Sequence, residues 1–418
     1  MIAYAVMIPA ARNDLAVTGL GCISGFGVGT AAFERGLFGG QRAYGPVRAF
    51  DTSAARSHAA GYIDSFDPTA FIPPARLRRI DRVGQLSIAS CRLALEDADL
   101  LGSALVEGRD IGIALGSATA GLHTLVDYLD RLNEQGPAGA SALDFSNTVG
   151  NAAASLCGIE FGLRGINVTV GQKEASACAA IAHAATVLRA GRVRAMITGG
   201  VDDFERMFFL VYDRFRALAS DEGAGEASRP FDHRRNGFVL GCGAFLVALE
   251  SAGSALARGA ETLAHLAGWA STSSPANLQA WPADPSELIR CMREALAAAD
   301  VAPRDVAVVF ASANSSRELD RVEAAALEEV FGASGVPVVA VKGAIGECGA
   351  AAAAAFVAAV LSLKQGVLPP TVGFEVADPA CRVDVRATSR PVDPSKPPVA
   401  LINSFASGGT NVSLVLKT

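Results

Sequence analysis

GINVTVGQKEASACAAIAHAATVLRAGRVRAMITGG, residues 165–200, is the stretch on which the fold turns. Residues 167–170 form a short β-rich run, 171–174 an irregular elbow, 175–190 an Ala-rich helix, and 195–200 a buried strand that ends in glycines. Apolar runs this short, alternating with helical runs, predict strands covered on both faces by helices. Working outward, the first half adds a strand over 15–23, a helix over 80–97, a strand over 111–115, and two strands around a Gly-rich bend over 237–250. The second half repeats the plan: strand 306–311, helix 318–331, strand 338–341, helix 349–363, then strands 399–402 and 412–416 around SFASGGTN. Each half sends a strand through an elbow into an Ala-rich helix, which predicts an internal duplication. The expected units are an extension over 1–14, a half over 15–255 and a half over 256–418. The stretch 251–259 lies near their boundary, and 267–285 reads as a loop or lid.

Composition narrows the function. Half of the 418 residues are apolar, enough for one large core or two fused ones. The formal charge is -6, with Lys and Arg scattered, which excludes a phosphate-backbone footprint and makes nucleic acid an unexpected partner. The longest apolar run, 349–363, is too short to span a membrane. Eight cysteines without a CxxC pair suit reduced, buried thiols and a cytoplasmic location. No metal-ligand spacing is present, and no cofactor is expected.

Six segments in order, VTGLGCISGFG (17–27), GPVRAFD (45–51), the elbow GINVTVGQKEASA (165–177), RPFDHRRNGFVLGCGA (229–244), VKGAIGECGAA (341–351) and NSFASGGTN (403–411), make the chain similar to the β-ketoacyl-acyl-carrier-protein synthases of the thiolase superfamily. The resemblance covers nearly the whole chain from Leu15. It implies a thiolase-like five-layer αβαβα fold of the α/β class, built from two duplicated halves, and a dimer. It also implies a cysteine nucleophile at the elbow, at a helix N-terminus that favours the thiolate, and two histidines that polarise a thioester carbonyl.

Those chemical groups are missing. The ungapped elbow alignment places Glu174 at the nucleophile position; a rival, which needs an insertion and a compensating deletion, would instead use Cys178 with His183. Both family histidines belong to the second half, and the last histidine here is His265. Ser312 stands at the first position, with Asn314 as a one-gap alternative, and Glu347 stands at the second. A carboxylate ionised near neutral pH would repel an enolate. Lys342, Glu323, Asp320, Phe231, Asp232, Gly408, Gly409 and Asn411 match scaffold positions of the family.

A kept scaffold without its chemistry resembles the chain-length factors, or ketosynthase β subunits, of type II polyketide synthases. These pair with an active ketosynthase subunit and meet the phosphopantetheinyl acyl carrier protein indirectly. Aromatic-type factors usually carry Gln where this chain has Glu174, which leaves room for the reduced, polyene-type branch. In such factors bulky residues on one helix gate the polyketide tunnel, and Leu122, Leu125 and Leu129 match them; core or dimer packing is the plainer reading of the same stripe.

For Glu174 the plain reading is a helix cap, with a salt bridge to Lys342 as a further expectation. Cys178 and His183 lie about 140° apart on a helix and do not form a dyad, so core packing is expected. His265 reads as a strand-end surface residue and Cys242 as a small core filler. Two alternatives stay open: a divergent β-ketoacyl synthase or malonyl-carrier-protein decarboxylase using Cys178, and a homodimeric acyl-binding scaffold.

Overall fold

The structure is a computed structural model that describes residues 15–418 apart from 108, 279, 333 and 334, so the expected extension over 1–14 lies outside the described residues. The first half runs β1 (Leu15–Ser24), α1 (Arg82–Asp97), β2 (Ile111–Gly116), α2 (Leu122–Gln135), α3 (Ala152–Phe161), β3 (Asn167–Val170), α4 (Ser176–Arg189), β4 (Ala195–Asp202), α5 (Arg206–Arg214) and β5 (Gly243–Ser251). The second runs β6 (Ala264–Ser273), α6 (Ser286–Ala298), β7 (Val308–Phe310), α7 (Arg317–Phe331), β8 (Pro337–Val339), α8 (Ala351–Gln365), β9 (Asp384–Val385), β10 (Val399–Phe405) and β11 (Thr410–Lys417). Local chemistry sets the helix ends. Asp81 accepts from the Gly84 N–H to start α1, Ser316 accepts from the Leu319 N–H to start α7, and Gly366 at φ 69 stops α8.

The duplication is visible in strand order. In the first half the order is β1-β5-β4-β2-β3, and in the second β6-β11-β10-β7-β8, with β9 added at the edge. Numbering the five strands of each half from its start gives 1-5-4-2-3 twice. The two sheets meet where Leu15–Val17 of β1 pairs antiparallel with 264–266 of β6. α1 and α3 cover the outer face of the first sheet, and α6 and α7 that of the second. Between the sheets α4 and α8 share one apolar cluster with inward residues of both. This is the five-layer α/β arrangement expected. All thirteen residues from Ala351 to Leu363 of α8 are buried, and eight of them are alanine or another side chain short enough to let two sheets close on one helix layer.

Three expectations change. Only Gly243–Ser251 is a strand, because the backbone of 237–242 is taken by other loops: the Gly241 N–H donates to the Glu347 carbonyl at 2.8 Å, and the Glu347 N–H donates to the Val239 carbonyl at 2.8 Å. The stretch 267–285 is strand up to Ser273, because residues 268–273 pair antiparallel with Thr410–Val415 of β11 while Ala267 and Ala270 pack into the core of the second half. The stretch 251–259 contains a short helix, Ala252–Ala257, capped by Ser251. His265 lies near the start of β6 but is half-buried rather than on the surface, with its Nδ1 covered, and Cys242 is a buried core residue as expected.

Gly200 marks how closely the central layer is packed. A Cβ there would stand 2.7 Å from the Ala177 Cβ and 2.9 Å from the Ala350 Cα. Gly200→Ala should therefore lower unfolding free energy by about 1–3 kcal/mol in urea titrations. Gly253→Ala, with nothing within 4 Å of the added carbon, should leave it unchanged or slightly higher.

Candidate functional site

The duplication brings two elbows together. The first joins β3 to α4 and the second leads from β8 to α8; the Ala177 N–H of one donates to the Gly349 carbonyl of the other at 3.2 Å. Lys173 turns the first elbow with φ 48, a left-handed conformation uncommon outside glycine. Glu174 follows it and is 7% exposed. Its Oε2 accepts from the Ser407 N–H at 3.1 Å and its Oε1 from the Ser407 hydroxyl at 3.1 Å, while its carbonyl accepts from the Ser404 hydroxyl at 3.1 Å. Neither expectation for this carboxylate holds: it does not cap α4 and is not ion-paired to Lys342. The elbow turns it instead toward the 403–409 loop, whose amide and hydroxyl saturate it.

Lys342 finds its partner five residues away. Its buried Nζ donates to Glu347 Oε2 at 2.8 Å and to the Ser312 carbonyl at 3.0 Å. Asn314 Nδ2 donates to the same Glu347 oxygen at 2.7 Å. The Ser312 side chain does not join this cluster, because its hydroxyl is exchanged with the Phe405 backbone, accepting from the N–H at 2.9 Å and donating to the carbonyl at 3.3 Å. Asn314 is thus the residue of the SANSS turn that meets the second elbow. Asp320 and Glu323 hold that turn from beneath, accepting from the N–H groups of Asn314, Ser315 and Ser312.

One ammonium faces several acids here. Burial opposes charging Lys342, yet Glu347, Glu174 and Glu323 together hold its pKa above the ordinary lysine value. Burial pushes Glu347 up to about 7 against the pull of Lys342, with Glu174 adding to the rise, and pushes Glu323 up to about 7 and Asp320 up to about 6. The objection that an acid at position 347 must be charged near neutral pH therefore does not hold in this setting.

Both elbows open on a cavity of about 1020 Å³. Glu174, Glu347 and Asp202 line it together with the apolar bodies of Phe208, Val211, Tyr212 and Phe215. Among the described residues no histidine lines it, and no cluster of His, Cys, Asp or Glu is arranged to hold a metal ion. Cys178 does not line it either: the thiol is fully buried against α8, burial pushes it up to about 12, and His183 is exposed on the other side of the helix. Cys348 and Asp202 are among the lining residues that the sequence reading did not single out. Cys348 adjoins Glu347, and Asp202 ends β4 with four donors on one oxygen; no spacing rule connects either to the elbows.

Leu122, Leu125 and Leu129 lie on α2, away from this cavity. The helix buries none of its residues in this chain, and Leu129 is 44% exposed, so the stripe is not part of the chain's own core. All eight cysteines are free and buried. Among the described residues no helix is long and apolar enough to cross a membrane.

Comparison with known proteins agrees with this geometry. Residues 12–255 match the family "Beta-ketoacyl synthase, N-terminal domain" and residues 263–375 match "Beta-ketoacyl synthase, C-terminal domain". The chain is 31% identical to the 3-oxoacyl-[acyl-carrier-protein] synthase 2 of Synechocystis sp. over 97% of its length and 98% of the relative's. It is 32% identical to the tetracenomycin polyketide synthase ketoacyl synthase beta subunit of Streptomyces glaucescens, covering 97% and 99%. Among solved structures, the ishigamide ketosynthase/chain length factor superposes with a TM-score of 0.89 at 29% identity, covering 98% of this chain and 100% of that one.

The buried acids make stability depend on pH. Glu323 has an ordinary value of 4.5 and a folded value of about 7, so the folded state keeps a proton that the unfolded chain releases. The resulting stabilisation, on the order of 3 kcal/mol, is complete below pH 4.5 and is lost as pH rises through about 7. Melting temperature should fall over that window, and Glu323→Gln should flatten the dependence.

Proposed function

The chain belongs to the β-ketoacyl synthase family, and we propose that within it the protein is a non-catalytic chain-length factor of type II polyketide biosynthesis, paired with an active ketosynthase subunit. The observation that carries this reading is the occupant of the nucleophile position. Glu174 is fixed by two bonds from Ser407, and a carboxylate attacking a thioester would give an anhydride with no base to assist it. The lack of any histidine on the cavity among the described residues removes the usual carbonyl-polarising pair. Cys178 is a poor substitute nucleophile, since a thiol raised to about 12 is not a thiolate near neutral pH.

The uncovered α2 stripe supports a paired subunit. Leu129, with Leu143 at 59% and Phe145 at 58% exposed, leaves apolar surface that an isolated chain would present to water. In the proposed heterodimer this surface meets the active subunit, and Leu122, Leu125 and Leu129 stand at the end of the shared tunnel. Acyl carrier protein then delivers extender units to the active subunit, and this chain meets only the growing product. The relatives named as a ketoacyl synthase beta subunit and a chain length factor support this assignment, and eight buried, unpaired thiols suit work in the cytoplasm.

Co-expression with a ketosynthase that carries the Cys-His-His set, starting with any encoded by an adjacent gene, should yield a stable heteromeric complex. The lone chain should release no CO2 from malonyl carrier protein, and iodoacetamide should leave Cys178 unmodified. Within the complex, Leu125→Ala or Leu129→Ala should lengthen the product. An unchanged product distribution from an intact complex would remove the gating role.

A further inference from the structure

α5 gives the cavity a wall that the chain itself leaves partly uncovered. Of its nine residues only Phe209 is buried, anchored by ring contacts to Phe50 and Phe204. Val211, and Phe215 just past the helix, are exposed, and both line the cavity of about 1020 Å³. Large apolar side chains left open on a concave wall are placed to cover hydrocarbon. A pocket of that kind orients its ligand through a few polar groups set among the apolar ones. On this helix the group is the hydroxyl of Tyr212, which also lines the cavity.

The Tyr212 ring is held in place while its hydroxyl is left available. The ring packs edge-on against Phe208, with centroids 5.8 Å apart, and against Phe238 at 5.3 Å, and both of these neighbours line the cavity too. The hydroxyl hydrogen-bonds no described residue and is not enclosed by protein, so it keeps accessible surface. The fields of Glu174, Glu347 and Asp202, three acids of the same cavity, reach the phenol, which places its oxygen toward the elbows. None of the three accepts from it: Glu174 is bonded to Ser407, Asp202 to Ser117 and Thr119, and Glu347 to Lys342 and Asn314. A tyrosine is protonated near neutral pH in any case, and burial together with these negative fields holds this one further above its ordinary value. The group facing the cavity is therefore an O–H donor without an acceptor in the chain.

We propose that Tyr212 is a specificity-determining residue of this cavity: its phenol O–H donates to the keto oxygen of a bound β-ketoacyl chain, whose hydrocarbon lies along Phe208, Val211 and Phe215. The assignment rests on the acyl-chain reading above and adds the group that tells a keto-bearing chain from a fully reduced one. A ketone oxygen is a stronger acceptor than a thioester carbonyl, so a single phenol pairs with the ketone. Tyr212 makes and breaks no covalent bond; it binds and orients.

The test titrates the purified full chain with 3-oxooctanoyl-pantetheine and with octanoyl-pantetheine by isothermal calorimetry. The keto probe should bind about fivefold more tightly, the effect of one hydrogen bond to a hydroxyl that water also reaches. Tyr212→Phe keeps the ring contacts and removes the donor, so it should abolish that preference and leave the affinity for octanoyl-pantetheine unchanged. Equal affinity of the native chain for the two probes, or a preference that survives in Tyr212→Phe, would overturn the proposal. An equal loss for both probes in Tyr212→Phe would overturn it as well, because the ring would then serve packing alone. Failure of both probes to bind would sink this use of the cavity while leaving the paired-subunit reading standing, since complex formation with a ketosynthase is measured separately.

Discussion

The central layer has room for two helices only if their side chains are small. α4 and α8 lie between two sheets, and the contacts that fix them are backbone and methyl contacts: Gly200 against Ala177 and Ala350, and Gly116 against the Ser176 carbonyl. That closeness aligns the helix starts, so the elbows of the two halves touch through Ala177 and Gly349. Two helix N-termini then converge on one volume. Their partial positive charges favour acidic groups there, and Glu174 and Glu347 sit just ahead of them. The site is thus a consequence of the packing: once the halves are duplicated and the inner layer is alanine, matching elbows must meet.

Charge balance at the meeting point follows from burial. Lys342 is the one buried ammonium among Glu347, Glu323 and Glu174. A single cation cannot neutralise three carboxylates in a dry environment, so protons supply the remainder, and burial raises the acids accordingly. The hydrogen bonds decide where each charge stays. Glu174 receives a backbone N–H and a hydroxyl from Ser407, whereas Glu323 and Glu347 each leave one oxygen unpaired.

Much of this was legible in the chain itself. Residues 165–200 read correctly as strand, elbow, helix and strand, because period and length separate those states there, and the repeat of that plan implied the duplicated layers. Absent histidines needed only a list of residues. What could not be read was pairing across the fold. Glu174 meets Ser407, 233 residues away, rather than Lys342, since the direction of an elbow is set by a φ of 48 at Lys173, a value unexpected for lysine. Ser312 matched a family position but turned into the β10 backbone, leaving Asn314 to face Glu347. The Gly-rich 237–242 segment looked like a strand because Phe238–Leu240 is a short apolar run, yet its backbone bonds go to other loops, the Glu347 loop among them.

That last contact explains how the site holds its shape. Val239 and Gly241 hydrogen-bond the backbone of Glu347, and Lys342 and Asn314 hold its side chain, so one residue ties the 237–242 loop, the 312–316 turn and the second elbow together. Removing Lys342 alone would strand a buried carboxylate, and removing Glu347 alone would strand a buried ammonium; either loss costs more than the intact pair contributes. The pair can change only as a unit. A site with these partners keeps its shape, and with it the cavity of about 1020 Å³.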